Sequence, residues 1–209
     1  MVKKYLIPVF LCILVFSHPG HSAEKGAELI IKEIEDTFAE DILTSKEVNE
    51  RRKYFRANPE AFERGPAGLF LQHSDPQMTL KTIIGEENFY KIPEIERALT
   101  IETLKNTFRR YAYEWLDSNL NTDLKLHKIN VLDDNNAILI VKRDMKIIPD
   151  LDLKLFVHKT DLGWKVFDFG FWDFRYTRMK RRNYLRFIQK EDFEGLINHL
   201  QIKNTKYFD

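Results

Sequence analysis

The spacing of apolar residues changes along the chain and separates helical parts from strand-forming parts. In residues 27–53 apolar side chains recur every three or four positions, which is typical of an amphipathic helix. The same spacing returns beyond Thr100 and predicts a long helix that Thr100 caps and that ends near Leu120. After that helix the apolar residues alternate with polar ones, which indicates strands with one buried face.

Turn-forming residues predict the bounds of the shorter helices. Proline is tolerated in the first turn of a helix but breaks a helix further along, and glycine often follows the last turn. We expect residues 86–99 to be irregular or briefly helical. One short helix is predicted to start at Asn58-Pro59 and to break at Gly65-Pro66. Another is predicted to start at Asp75-Pro76, to run through Ile84 and to stop at Gly85.

Four strands are predicted, over residues 124–131, 137–147, 151–158 and 164–172. Turn signals at 133–136 and 160–163 join the first strand to the second and the third to the fourth. A strongly basic helix over 175–190 and a shorter amphipathic segment follow. Helices, then a meander, then helices again predict an α+β fold, with the helices packed on one face of a four-stranded antiparallel sheet.

The N-terminus has the pattern of a secretory signal peptide. Lys3 and Lys4 precede an apolar run of 12 residues, from Tyr5 to Phe16, and small and turn-forming residues come next. A membrane anchor is the alternative, but a spanning helix needs roughly 20 apolar residues. We therefore predict a cleaved signal peptide at residues 1–23 and a single domain at 24–209.

The balance of charge argues against one class of partner. Lys3 and Lys4 are the charged residues of the predicted signal peptide, so cleavage would leave 31 of the 33 basic residues against 32 acidic ones, a net charge of −1. This balance and the predicted export argue against a nucleic-acid partner. Cys12 is the only cysteine and lies in the predicted signal peptide, so a mature chain without it would depend on its apolar core for stability.

The sequence carries no pattern typical of a catalytic or metal site. The histidines beyond the predicted signal peptide have no second histidine or cysteine at metal-ligand spacing, and motifs for a nucleophile elbow, a P-loop or a dinucleotide are absent. Asp168 is the most unusual carboxylate, because it falls inside an otherwise apolar strand. We favour a structural hydrogen-bond acceptor over a general base for Asp168. We predict no enzyme activity, no catalytic residue and no metal.

The C-terminal part of the chain contains a spaced set of residues that can be compared with a known family. The strand Gly163-Trp164-Lys165-Val166-Phe167-Asp168 is followed 13 positions later by Arg181 and then by Gly195-Leu196-Ile197 and Leu200. In order and spacing these residues resemble the MlaC family of periplasmic phospholipid-binding proteins, also called the toluene-tolerance auxiliary family. The resemblance covers about residues 27–201. It departs at Trp172-Asp173-Phe174-Arg175, where the family usually has Glu-Gly-Val-Ser.

The resemblance implies a function and a set of partners. A member of this family is a periplasmic carrier that moves phospholipid between an outer-membrane lipoprotein complex and an inner-membrane ABC transporter complex, in a system that maintains the lipid asymmetry of the outer membrane. Its acyl chains are shielded in an apolar cavity between the sheet and the helices. The resemblance implies no cofactor apart from the bound phospholipid, which is cargo.

Both the helices and the strands supply apolar residues for such a cavity. Plain core packing would account for the same residues, and we keep both interpretations open. The candidate lipid-binding residues are Ile84, Phe108, Tyr111 and Trp115 from helices, and Leu139, Val141, Leu153, Leu155, Phe169 and Phe171 from strands.

Several alternatives remain open at this point. The basic helix over 175–190 either contacts headgroups, a membrane surface or acidic partner subunits, or simply exposes a solvated face, which we favour. The chain could carry another lipid, such as a hopanoid-like or sterol-like molecule. It could instead be an enzyme with a cone-shaped pocket in which Asp168 acts as acid or base, or a structural interaction protein with a filled core.

Overall fold

The computed structural model describes residues 20–38, 53–117, 123–144 and 152–208. Parts of five predicted elements lie outside these residues: positions 1–19 of the signal peptide, 39–52 of the first helix, 118–120 of the long helix, 145–147 of the second strand and 151 of the third strand. The helices are α1 (Gly20–Phe38), α2 (Pro59–Phe62), a π-helical turn (Glu63–Ala67), α3 (Gly68–Gln72), α4 (Pro76–Ile84), α5 (Glu86–Lys91), α6 (Glu94–Asp117), α7 (Tyr176–Ile188) and α8 (Phe193–Phe208), and residues 53–57 are also helical. The strands are β1 (Asp123–Asp133), β2 (Asn136–Asp144), β3 (Leu153–Thr160), β4 (Gly163–Phe171) and β5 (Phe174–Arg175).

Helix α4 confirms the bounds that its turn-forming residues predict. The side chain of Asp75 caps its N-terminus by accepting a hydrogen bond from the Met78 amide at 2.7 Å. Gly85 ends the helix with a φ of +86°, a conformation that glycine adopts without steric strain. The predicted break at Gly65 is also confirmed, because its φ and ψ of −99° and −111° are not helical.

The predicted start of the long helix is wrong by seven residues, because a cap at Thr100 would place the first helical residue at 101. Helix α6 begins at Glu94, directly after Pro93. Residues 86–99, predicted to be irregular or briefly helical, therefore contain the brief helix α5 and the first turns of α6. Glu94 and Glu96 lie in its first turn, where carboxylates favour the positive end of the helix dipole. Thr100 lies inside the helix, and its hydroxyl donates to the Glu96 carbonyl at 2.7 Å instead of capping.

The sheet has five antiparallel strands in the order β1-β2-β3-β4-β5, and the prediction of four strands is wrong. The extra strand forms because the chain reverses at Trp172, which has a φ of +49°, and pairs Phe174 with Phe171. Because β5 has only two residues, the sequence shows no alternation of apolar and polar residues that would have predicted it. Short β5 covers part of the outer edge of β4, and a bridge from Ser74 to Val166 covers another part.

A bulge in β4 places two sets of apolar residues on the same face of the sheet. Phe156 pairs with Asp168 and Val157 pairs with Val166, so Phe167 is an extra residue on β4. Without the bulge, Trp164 and Val166 would face away from Phe169, because side chains alternate along a strand. With it, they share a face with the candidate residues of the sheet, which are Leu139, Val141, Leu153, Leu155, Phe169 and Phe171.

Among the described residues, three clusters of buried apolar side chains hold these elements together. Cluster 1 joins helices α4 to α8 and includes Leu80, Leu104 and Leu196, each fully buried. Cluster 2 packs α1 against the sheet and includes the buried Trp164, and cluster 3 joins Phe55 and Phe62 to α6. Within the described ranges, no helix has the length and apolar character to cross a membrane.

Candidate functional site

Cluster 1 brings together candidate residues that are far apart in the sequence. Ile84 comes from α4, Phe108 and Tyr111 come from α6, and Phe169 comes from β4. Tyr176, at the start of α7, stacks on Phe169 with 4.9 Å between ring centroids and an interplanar angle of 18°. Tyr111 meets both rings edge-on at 6.5 and 6.0 Å, an arrangement that aromatic quadrupoles favour. This aromatic group is where the helices meet the sheet.

The remaining strand candidates lie elsewhere on the same face of the sheet, and the side chain of the remaining helix candidate lies outside the described part of the structure. Leu139 and Leu155 belong to cluster 2, and Leu155 pairs across the strands with Phe169, so the two clusters meet there. Val141 is buried, and its strand partner Leu153 is half-buried. Two further candidates complete the set: Phe171 is half-buried on β4, and Trp115 belongs to α6 but its side chain lies outside the described part of the structure.

The rings of cluster 1 fill the space in which the resemblance places a cavity. A pocket does open at the edge of the cluster, with a volume of about 320 Å³ that includes solvent at its mouth. Its enclosed part holds about one water molecule. An acyl chain therefore enters cluster 1 only if the side chains around Tyr176 move apart.

The pocket lies where α6, α7 and α8 meet, and it combines an apolar floor with a cationic rim. Tyr176, Tyr184 and Leu200 form the floor and are also members of cluster 1. No carboxylate is among the residues that line it. These residues are Thr107, Arg110, Tyr111, Tyr176, Lys180, Asn183, Tyr184, His199, Leu200 and Lys203.

The electrostatics of the pocket follow from burial and from like charges. Burial lowers the pKa of Lys180, and the nearby charges of Lys203 and Arg110 lower this pKa further. Burial also lowers the pKa of His199, and Lys203 and Lys180 add to that effect. Burial raises the pKa of Tyr176, so its phenol keeps its proton near neutral pH. The pocket is thus a positively charged site with neutral hydroxyl groups at its base.

Three buried polar atoms at this pocket have no hydrogen-bond partner of acceptable geometry: Arg110 Nε and the hydroxyls of Tyr176 and Tyr184. The two hydroxyls lie close enough to each other and to Tyr111 for their electrostatic fields to interact, but no well-aligned hydrogen bond joins them. A buried polar group without a partner destabilises a folded protein by about 1–3 kcal/mol. Such groups need an explanation other than packing.

Replacing Tyr184 by phenylalanine is expected to raise the free energy of unfolding by about 1 kcal/mol, because it removes a buried hydroxyl that makes no hydrogen bond. Urea denaturation measures this change. Tyr113→Phe is the matched control, since the Tyr113 hydroxyl interacts with Glu63, and we expect it to lower the same quantity by about 0.5–1.5 kcal/mol. If Tyr184→Phe lost as much stability as the control, the Tyr184 hydroxyl could not be a buried group without a hydrogen bond.

Asp168 lies outside this pocket and is saturated with hydrogen bonds. It is 1% exposed and pairs with Phe156, on the opposite face from Phe169. Its carboxylate accepts from the Phe169 amide at 2.9 Å, from both Nε (2.7 Å) and Nη2 (2.6 Å) of Arg175, and from the amide (3.1 Å) and hydroxyl (2.7 Å) of Thr177. These contacts favour the interpretation of Asp168 as a structural acceptor that holds the start of α7 on the sheet.

The cations of the basic helix do not form one uniform face. Lys180 faces the pocket, with its Nζ 5.4 Å from the centroid of the Tyr176 ring. Arg175 pairs with Asp168 and lies over the Phe156 ring at 3.9 Å. Arg178 and Arg182 are exposed, as a solvated face or a docking face requires. Both interpretations of this exposed part therefore remain predictions.

Sequence reasoning selected Tyr111 as a candidate and the basic helix that carries Lys180, but it did not select the other polar residues of this pocket. Tyr176, Lys180 and Tyr184 are spaced by four, which places them on one side of a helix, and that signal was present in the sequence. Arg110 and Lys203 reach the pocket from two other helices, and no spacing rule connects helices that are so distant in the chain. Across the described ranges, no group of three or more histidine, cysteine, aspartate or glutamate residues could hold a metal ion.

Comparison with known proteins identifies the fold. No model of a protein family matches the chain, and no curated protein matches it. The structure is similar to that of a phospholipid-binding protein from Ralstonia solanacearum, solved in complex with a phospholipid, with a TM-score of 0.57 and 14% sequence identity. The match covers 90% of this chain and 97% of that chain. At this identity the likeness shows that the two proteins share an α+β fold over nearly their whole lengths.

Proposed function

We propose that this protein binds a phospholipid and shields its acyl chains in cluster 1, between the sheet and helices α6 and α7. The observation that carries the proposal is the aromatic group of Phe169, Tyr176 and Tyr111 at the junction of sheet and helices. The likeness in fold to a protein solved with a phospholipid supports it. Within cluster 1 we propose that Ile84, Phe108, Tyr111, Phe169 and Tyr176 contact the acyl chains. The other candidates named from the sequence would extend this apolar surface, the strand residues along the same face of the sheet and Trp115 along α6.

The physical reason for a carrier is the insolubility of acyl chains. Each methylene group that leaves a bilayer for water raises the free energy by about 0.8 kcal/mol. A protein that offers apolar surface as good as the bilayer removes this barrier without any chemical step. Such a protein needs aliphatic and aromatic side chains in quantity and needs no group that titrates or attacks, which agrees with the composition of cluster 1.

Binding requires cluster 1 to open, and the structure contains a feature that makes opening easier. The unpartnered atoms of Arg110, Tyr176 and Tyr184 destabilise the closed arrangement, because their hydrogen bonds to water are lost and not replaced. When the helices move apart, these groups regain partners in water or in the ligand. Part of the free energy needed to separate the rings is thereby offset.

We further propose that the protein works in the periplasm, between an outer-membrane lipoprotein complex and an inner-membrane ABC transporter complex. The signal-peptide pattern at residues 1–23 and the resemblance to the MlaC family support this proposal. The exposed cations of α7, including Arg178 and Arg182, would suit contact with acidic partner subunits. The phospholipid is cargo in this scheme, and the chemistry needs no cofactor.

The test is to purify the mature protein without detergent, extract it with organic solvent and analyse the extract by mass spectrometry. We expect phospholipid in amounts comparable to the protein. An unrelated exported protein purified in the same way gives the background. A hopanoid-like or sterol-like molecule in place of phospholipid would identify a different cargo, and extracts from several preparations at background level would contradict lipid carriage.

A further inference from the structure

The pocket between α6, α7 and α8 contains hydrogen-bond donors that the protein itself does not use. Arg110 Nε and the hydroxyls of Tyr176 and Tyr184 are buried and unpartnered, and the two tyrosines are 3% and 1% exposed. A guanidinium donates hydrogen bonds and accepts none, and a phenol donates strongly to an anion. Buried donors without a partner around one pocket are groups that a ligand with acceptor oxygens can engage.

The charge of the pocket indicates the sign of that ligand. Arg110, Lys180 and Lys203 line one small space together with His199, and the lining contains no carboxylate. Arg110 Nη1 lies 3.4 Å from a carboxylate oxygen of Glu114, which is outside the lining, and 3.5 Å from the Lys203 carbonyl, and neither contact engages Nε. The mutual repulsion of these cations is relieved when an anion binds among them.

We propose that this pocket binds a phosphate group, with Arg110, Lys180 and Lys203 supplying positive charge and Tyr176 and Tyr184 donating hydrogen bonds. Phosphate has several acceptor oxygens, which matches donors that arrive from three helices, and arginine is well suited to its geometry. The enclosed part of the pocket is small, but Asn183 and Lys203 at the rim are exposed and have room to move outward.

The same chemistry occurs in a phospholipid headgroup and in free phosphate. Tyr176 and Tyr184 belong both to the pocket and to cluster 1, so a phosphate here lies next to the proposed acyl-chain site. If the proposed function holds, the phosphate belongs to the headgroup. The phosphate site itself does not depend on that function, because inorganic phosphate offers the same oxygens.

Calorimetry on the mature protein tests the proposal with three probes. These are inorganic phosphate, dihexanoylphosphatidic acid and dihexanoylglycerol, which lacks the phosphate. We expect the double variant Arg110→Gln/Lys180→Gln to bind dihexanoylphosphatidic acid at least about tenfold more weakly than the wild type does. This loss is equivalent to one charged hydrogen bond. Arg178→Gln/Arg182→Gln is the matched control, since it removes two exposed charges of α7 that do not line the pocket, and it should bind as the wild type does.

A second variant guards against misfolding. Tyr184→Phe removes one unpartnered hydroxyl and is expected to fold with increased stability, yet to bind dihexanoylphosphatidic acid several-fold more weakly. Equal binding of dihexanoylphosphatidic acid by the wild type and both pocket variants would overturn the phosphate site and leave lipid binding intact. Binding of inorganic phosphate alone would support the site and contradict lipid binding. Binding of neither phosphorylated probe would overturn the site, as would equally tight binding of dihexanoylglycerol.

Discussion

Replacing Asp168 by alanine is expected to lower the free energy of unfolding by about 3 kcal/mol, the lower end of the range for breaking a buried ion pair. The lower end applies because the Arg175 side chain is 27% exposed and water partly solvates its charge. The substitution also leaves the Thr177 amide and hydroxyl without their acceptor at the start of α7. Chemical denaturation of the two proteins at neutral pH measures the difference.

Asp173→Ala is the matched control, because Asp173 is exposed in the turn between β4 and β5. We expect this control to change stability by less than about 0.5 kcal/mol. If Asp168→Ala had an equally small effect, the network around Arg175 would not hold α7 on the sheet. Asp168→Asn addresses the enzyme alternative: loss of an activity with stability and lipid content unchanged would favour an acid or base role.

Replacing Phe108 by alanine is expected to lower the free energy of unfolding by about 3–5 kcal/mol and yet to strengthen lipid binding. Phe108 is 5% exposed and packs against Tyr176 at 6.3 Å between ring centroids, so its removal leaves a cavity in cluster 1. That cavity gives an acyl chain space that the closed wild-type cluster lacks. The fraction of molecules competent to bind rises, and the apparent Kd falls accordingly.

Phe62→Ala is the control for this second prediction. Phe62 is 1% exposed and belongs to cluster 3, not to cluster 1, and its removal should destabilise the protein by a similar amount. Its Kd for a short-chain phospholipid should equal that of the wild type. Tighter binding by Phe62→Ala, or weaker binding by Phe108→Ala, would contradict the location of the acyl chains in cluster 1.

Capping and turn-forming residues made several helix bounds predictable from the sequence. Asp75 and Gly85 bracket α4 because a cap and a positive φ are requirements of single residues. Thr100 misled because a threonine inside a helix, bonded to the carbonyl four residues earlier, looks the same in sequence as a capping threonine. Strand β5 was missed because its two residues are held by contacts with Gly170 and Phe171 and not by a pattern of their own.

At the candidate site, too, the spacing of residues within one element was informative, but contacts between elements far apart in the chain were not predictable. Apolar candidates such as Phe108 and Phe169 could be selected, because periodicity indicates which side of an element is buried. Periodicity could not show that the Tyr176 ring would stack on Phe169 and fill the space between them. The bulge at Phe167 sets which strand residues share that side, and bulges leave little trace in a sequence.

The most direct measurement is photo-crosslinking of the mature protein with a phospholipid that carries a diazirine midway along one acyl chain, followed by peptide mapping. We predict crosslinks to cluster 1, on peptides that contain Phe108, Tyr111 and the stretch from Phe169 to Tyr176. Addition of unlabelled phospholipid should reduce them. Crosslinks confined to cluster 3 or to exposed residues such as Leu162, or crosslinks that unlabelled lipid leaves unchanged, would contradict an acyl-chain site between the sheet and the helices.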